Sequence, residues 1–203
     1  MPTLRARPKP ADRYHHGDLR AALMREAGRV LASAGPEALS LRELARALGV
    51  SHNAPYKHFA NRDALLAALA AEGYRELTAE GQQAARDAPA GETMRARAMA
   101  YIRFALRRPA VFKLMFSRDI RASGHAEVSE AARTGFFALR QAVAGGATDR
   151  AANDTALAAW AFVHGIAHLL IDKQIPESLT AGRSPEEVAH AMMQAFGRPR
   201  RES

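Results

Sequence analysis

The chain has 203 residues, a formal net charge of +8 and no cysteine. A chain of this length buries roughly 70% of its unfolded surface, as one large domain or two small ones. The missing cysteine excludes a thiol redox sensor, a Cys-ligated zinc centre and a disulfide framework. The charge is uneven: residues 1–62 carry 11 Lys and Arg against 5 Asp and Glu, and residues 63–203 carry 18 against 16. A basic first part on a nearly neutral remainder suits an anionic partner, nucleic acid or anionic membrane, for the first part alone.

Residues 1–16 contain three prolines and several basic residues and lack a hydrophobic segment, so they read as a flexible basic arm and not as a secretory signal. A helix is expected over Asp18–Ala34. The stretch from Leu39 to Leu66 is the most informative. Ser40 with Glu43 three residues later has the spacing of a capping box. Leu41, Leu44, Ala45 and Leu48 form one apolar face, and Arg42 and Arg46 point away from it. Gly49 stops the helix, because glycine enters the left-handed region without steric cost. Val50 plugs the gap to the next element, and Ser51 is a second N-cap. A short helix then runs from His52 to about Phe59, with Pro55 tolerable at its fourth position. Ala54 and Phe59 can face the core. His52, Asn53, Tyr56, Lys57 and His58 offer hydrogen bonds and positive charge with no carboxylate among them. Asn61 caps a third helix that starts at Arg62. The layout suits a helix-turn-helix that reads the major groove of double-stranded DNA.

Beyond it, a long helix extends from Arg62 to about Ala85 and ends at the break Asp87–Gly91. Helices follow over about Glu92–Arg108, Ala110–Ser117 and Ala126–Ala144, with Arg118–His125 irregular between the last two. Asn153 or Asp154 is the expected cap of a helix reaching Ile171, whose apolar run Ala156–Ile171 reads as a buried core helix. Lys173–Arg183 reads as a loop. Ser184-Pro185-Glu186-Glu187 is a second capping-box start, for a helix ending near Phe196. No strand-type alternation longer than a few residues and no internal repeat are found. The expected fold is all-α with about nine helices. Its parts are an arm over 1–16, a helix-turn-helix domain over 17–66, a helical regulatory and dimerisation domain over 67–198 and a tail over 199–203.

The opening helix Asp18–Ala34, the SLRELARALGVS run from Ser40, Tyr56-Lys57-His58-Phe59 and Asn61-Arg62-Asp63-Ala64-Leu65-Leu66 together resemble the TetR/AcrR family of bacterial transcription regulators. Trp160-Ala161-Phe162-Val163-His164-Gly165 is similar to the family branch with a WHG-type C-terminal domain, and the opening Tyr14-His15-His16-Gly17-Asp18-Leu19-Arg20 resembles that branch too. The first resemblance covers about seventy residues closely. It implies an all-helical homodimer, a DNA-binding head on each subunit and a ligand-responsive body, working in the cytoplasm on a DNA operator.

By that resemblance Tyr56, Lys57, His58 and Arg62 hold phosphates, and His52, Asn53 and Arg42 are the candidates for base edges, with Ser51 at the start of the segment. The family also implies a small-molecule pocket between helices. Large aromatics and adaptable methionines make such pockets, although most of them are core in any fold. The expected lining is Phe104, Phe112, Met115, Phe116, Trp160, His164 and His168. His164, His168 and Asp172 lie on one stripe, but three helical turns are too long for a single ion to meet all three, so no metal and no other cofactor is expected. Ser117, Ser123 and Ser129 carry no nucleophile motif, and no enzyme activity is expected. The dimer surface is expected around Phe136–Val143 and Ala156–Ile171, where Gly135, Ala138, Ala142, Ala158 and Ala159 permit close approach. The alternatives are a DNA-binding regulator without a ligand, and a helical small-molecule-binding protein or enzyme.

Overall fold

The computed structural model describes residues 16–145 and 147–196, with side chains from Leu19 onward. The described residues form ten α-helices and two 3-10 turns joined by short connections, and no strand occurs among them. The basic arm and the tail expected at the two ends fall outside the described residues, apart from His16, which opens the first helix.

The N-terminal unit is built from α1 (His16–Ala34), a 3-10 turn (Pro36–Ala38), α2 (Leu41–Ala47), a second 3-10 turn (Pro55–Lys57) and the start of α3 (Arg62–Asp87). Leu19, Leu23, Ala27 and Leu31 line one side of α1, are all buried, and meet Leu41 and Leu44 of α2 and Leu65, Leu66 and Leu69 of α3. Helix α3 continues for 26 residues, well past this cluster, and beyond it packs against the body helices.

The body consists of α4 (Thr93–Arg107), α5 (Pro109–Phe116), α6 (Arg118–Ala122), α7 (Ala126–Ala144), α8 (Arg150–Ile171), α9 (Glu177–Thr180) and α10 (Pro185–Phe196). Phe112 and Met115 on α5 and Phe104 on α4 are fully buried and belong to the same hydrophobic cluster as the N-terminal unit. Head and body therefore share one core, with α3 and α5 as the joint. Gly73 makes the joint possible: a Cβ there would lie 2.7 Å from Met115 Sδ and 2.8 Å from Val111 Cγ1. A second cluster ties α4, α8 and α10 together through Met99, Ile102, Val163, Ile166 and Ala189.

Three expectations need correction. The segment from Arg118 is not irregular, because Ser117 Oγ accepts from Ile120 N at 3.4 Å and caps a short α6. The loop Lys173–Arg183 contains the one-turn α9. Helix α8 starts earlier than Asn153, because Asp149 Oδ1 accepts from Ala152 N at 2.8 Å and is the true N-cap. Asn153 lies inside the helix and accepts a hydrogen bond from Arg140.

Helix α8 also departs from the expected fully buried helix. By length and composition it is apolar enough to cross a membrane, yet only 22% of its apolar window is buried within the chain. Ala152, Ala156, Val163, Ile166 and Ala167 face inward, while Leu157, Ala158, Ala161 and Gly165 are exposed.

Candidate functional site

The geometry of the head starts at the cap of α2. Ser40 Oγ accepts from Glu43 N at 3.5 Å, a long contact. The return limb of the capping box is replaced: the Glu43 carboxylate pairs with Arg46. At Ser184 both limbs form, with Ser184 N donating to Glu187 Oε2 at 2.7 Å and Glu187 N donating to Ser184 Oγ at 3.3 Å. The end of α2 is a complete Schellman motif. Gly49 sits at φ 67°, its N–H donates to Arg46 O, and Val50 N donates to Ala45 O. That geometry turns the chain sharply and sends Val50 toward the core.

The element that follows is not the α-helix expected over His52–Phe59. It is a run of turns containing the 3-10 segment Pro55–Lys57, whose N-cap is Ala54 with no side-chain cap. Ser51 takes part through its carbonyl, which accepts from Ala54 N at 2.9 Å, rather than as a side-chain N-cap. The reason lies in Pro55. It has no N–H, so the ladder cannot run through it, and its ring opposes an α-turn before it. The bonds at Lys57 and His58 span three residues, and the first four-residue step is Phe59 N to Pro55 O.

The tight segment still sorts its side chains as expected. Pro55 and Phe59 are buried and Ala54 is half-buried against the core. Arg20 of α1 lies over the Phe59 ring at 5.2 Å from its centroid and clamps the segment from the other side. Ser51, His52, Asn53, Tyr56 and Lys57 are exposed, as is Arg42 on α2, and His58 is half-buried. The outward face from Ser51 to His58 therefore carries hydrogen-bonding and cationic groups without a carboxylate.

Arg62 stands apart from the others. Its Nη2 donates to Pro36 O at 2.7 Å and to Glu37 Oε2 at 3.1 Å, and Nη1 lies 3.7 Å from Asp63. Its Nε is buried with no hydrogen-bond partner among the described residues. In this state the guanidinium ties the start of α3 to the α1–α2 connection.

In the body, a cavity of about 720 Å³ opens between α3, α4, α6, α7 and α8. Of the expected lining only Phe116 and Trp160 face it. Phe104, Phe112 and Met115 are fully buried core residues instead. Deleting a core Phe of that kind costs about 3–5 kcal/mol, so these positions build the wall rather than the surface of the cavity. His164 sits behind Trp160. The indole Nε1 can only donate, so it donates to Tyr101 Oη at 3.3 Å, and that hydroxyl shares a second hydrogen bond with His164 Nδ1 at 2.8 Å. Burial, and then the neighbouring His168, hold the His164 pKa down at about 4, so the ring is neutral near pH 7. Burial pushes the Tyr101 hydroxyl well above the ordinary tyrosine value. His168 Nδ1 lies 3.4 Å from Asp172 Oδ2, and Asp172 Oδ1 pairs with Lys113 at 2.5 Å. The His164–His168–Asp172 stripe is thus spent on intramolecular partners. Among the described residues no group of three or more His, Asp or Glu could hold a metal ion.

Residues 94–196 match the family description "Tetracyclin repressor-like, C-terminal domain", which is half of the chain, and residues 23–69 match "Bacterial regulatory proteins, tetR family". The chain belongs to the TetR family. Among solved structures it is 36% identical to a protein of unknown function from Rhodococcus sp. RHA1, covering 92% of this chain and 97% of that one with a TM-score of 0.78. It is 25% identical to the TetR family transcriptional regulator PfmR from Thermus thermophilus, covering 88% and 99% with a TM-score of 0.54. A TetR/AcrR family regulator from Thermobifida fusca, 20% identical over 90% of this chain and all of that one, shares the fold with a TM-score of 0.63. A comparison with curated proteins gives no match. The protein is a DNA-binding transcriptional regulator of the TetR family.

Within this TetR-family body, sequence reasoning left out apolar cavity residues such as Leu77, Val128 and Phe162, and every polar one. Arg97, Arg121 and Arg133 line the cavity together with Tyr74, Thr78 and Ser129. An arginine on an amphipathic helix reads as a solvated face, and no local signal separates these three from the other arginines. The five small residues expected at a dimer surface also divide. Gly135 faces Thr78 of the same chain, where a Cβ would lie 2.9 Å from Oγ1. Ala138 and Ala159 line the cavity, Ala142 is half-buried and Ala158 is exposed.

Proposed function

We propose that the protein is a ligand-responsive repressor that binds a palindromic operator as a homodimer and leaves it when a small molecule occupies the body cavity. The observation that carries this reading is the carboxylate-free outward face of residues 51–58, held by a Schellman turn on one side and the Phe59 anchor on the other. Tyr56, Lys57 and His58 meet phosphates. His52 and Asn53 reach base edges in the major groove, with Arg42 beside them and Ser51 leading the segment in. Arg62 can join the phosphate set only by giving up Glu37, so its contribution is smaller than that of Lys57. The division into a head over residues 17–66 and a body over 67–198 follows from this assignment, and the site of action is the cytoplasm, where the operator is.

One recognition segment covers few base pairs, and two related by a twofold axis give useful specificity. The exposed apolar strip on α7 and α8 supports the dimer: Phe137 and Leu157 are each 46% exposed, and Ala158, Ala161 and Gly165 run alongside Leu157 on α8. Helix α3 supports coupling. It begins in the head at the Asn61 cap, and Tyr74, Leu77, Thr78 and Gly81 further along it line the cavity. A ligand that binds better to one tilt of α3 shifts the spacing of the heads, by no more than its differential affinity for the two states.

Footprinting of the full-length protein on the DNA flanking its own gene tests the reading. A protected site with dyad symmetry, lost on adding a ligand that stabilises the protein in a thermal-shift screen, is the expected result. Equal protection of unrelated duplexes at moderate salt removes the operator reading. A specific footprint that no stabilising ligand disturbs leaves a regulator without an effector.

A further inference from the structure

The body cavity has an unusual charge pattern. Its wall is aromatic and aliphatic over most of its area, with Phe116, Trp160 and Phe162 among the lining residues. Among the described residues, the only charged ones that line it are Arg97 on α4, Arg121 on α6 and Arg133 on α7, and no Asp, Glu or Lys faces it. None of the three arginines makes an ion pair among the described residues. Arg121 and Arg133 are exposed and meet solvent as well as the cavity, whereas Arg97 is half-buried. Arg97 Nε is fully shielded from solvent and has no hydrogen-bond partner among the described residues. Burial, and then the field of another cation, Arg86, disfavour the charge on Arg97.

A buried guanidinium donor without an acceptor is costly, and this protein satisfies most of its other half-buried arginines: Arg108 pairs with Glu76, and Arg140 donates to Asn153. The acceptor that Arg97 lacks within the chain can come from a ligand. We propose that the cavity takes an amphiphilic organic anion, with an acid head held by Arg97, Arg121 and Arg133 and an apolar body laid against Phe116 and Trp160. The proposal rests on the ligand-responsive reading above and names its effector class. A planar guanidinium fork matches a carboxylate or a phosphate in two parallel hydrogen bonds. A cationic ligand of the same shape would bring its charge against three arginines with no counter-ion. A neutral one would leave Arg97 Nε without an ionic acceptor.

Trp160 is the single tryptophan of the chain, so its fluorescence reports occupancy of the cavity directly. The full-length protein is titrated, below the aggregation concentration of each probe, with dodecanoate, dodecyl phosphate, 1-dodecanol and dodecyltrimethylammonium, which share one tail. A guanidinium held by an anion in two parallel hydrogen bonds is bound more strongly than one donating to a neutral hydroxyl, by an amount that predicts about a tenfold or greater preference for the anions over the alcohol. The cation should bind weakest. Dodecanoate and dodecyl phosphate separate a carboxylate-selective site from a phosphate-selective one. Arg97→Gln with Arg133→Gln should bring anion and alcohol affinities together, the anions losing far more than the alcohol. If the pair fails to fold, Arg121→Gln and Arg133→Gln, both at exposed positions, carry the same comparison.

Alcohol or cation binding as tightly as the anions overturns the anionic assignment and leaves a ligand-binding body in place. No change in Trp160 fluorescence with any of the four probes overturns the assignment of the cavity altogether. Selective anion binding that does not release the operator supports the site and sinks the ligand-responsive reading instead.

Discussion

Asn53 and Arg62 show how differently two polar residues of one short stretch can be placed. Asn53 is exposed and projects from a tight turn. An asparagine amide there can meet the N6 and N7 edge of an adenine, and such a contact discriminates by about 1–3 kcal/mol. Asn53→Ala is expected to lower operator affinity by that amount with little change on random DNA, measured by fluorescence anisotropy with both duplexes. Equal losses on both would make Asn53 a positioning contact. Arg62 is already engaged by Pro36 O and Glu37. Arg62→Ala should therefore lower the thermal midpoint of the head, and it should flatten the slope of log K against log salt by up to about 1 only if the side chain also reaches a phosphate. A lowered midpoint with an unchanged slope assigns Arg62 to the scaffold alone. Both residues were visible in the sequence as polar positions. What the sequence could not show was that Glu37, 25 residues earlier, folds back against one of them.

The helix-turn-helix frame was readable at the level of elements because its signals are local. A cap at Ser40, a left-handed glycine at Gly49 and a cap at Asn61 each act within four residues of themselves. The α-helix expected between Ser51 and Phe59 became a 3-10 turn, since a mid-segment proline weighs more than the polar periodicity around it. Helix α8 was legible as a helix but not as half-exposed, because burial depends on what lies across from it. The joint between α3 and α5 is a tertiary feature of the same sort. Gly73 has no unusual backbone angle, and only the approach of Val111 and Met115 gives it a role. Overpacking at such a contact costs about 1–3 kcal/mol. Gly73→Ala should lower the denaturant midpoint by a matching amount without a change in slope. It should also alter how ligand binding is passed to the head, read as a changed ratio of operator affinities with and without ligand. An unchanged midpoint would mean that the α3–α5 contact is loose enough to absorb a methyl group.

For the whole molecule, assembly and acid sensitivity are the testable properties. If α7 and α8 form the subunit contact, Phe137→Glu with Leu157→Glu places two charges in it. The expected result is a monomer by sedimentation at micromolar concentration, with operator affinity falling far more than the affinity of an isolated head for a half-site. A dimer that persists in the double variant places the contact elsewhere. The response to acid follows from His164, whose pKa falls from the ordinary 6.5 to about 4 in the folded chain. The unfolded chain binds the proton more readily between those values, so the stabilising contribution is complete above about pH 6.5 and is lost as the pH falls toward 4. Asp172, held below the usual carboxylate range first by its hydrogen bond to Lys113, acts in the same direction at lower pH. Thermal midpoints measured across this window should decline on acidification. His164→Phe should make the decline shallower, and an unaltered profile in that variant would remove His164 as its source.

The amino-acid sequence by itself determined the all-helical class, the helix boundaries that rest on caps and glycines, the basic outward face of the head and the TetR resemblance. Each of these depends on interactions within one or two helical turns, or on a pattern that repeats along a single element. The tertiary structure alone decided that Phe104, Phe112 and Met115 are wall rather than lining, that His164 is committed to Tyr101, and that three arginines from three helices converge on one apolar cavity. Those facts depend on which helix faces which, a relation between residues dozens of positions apart that no local spacing encodes.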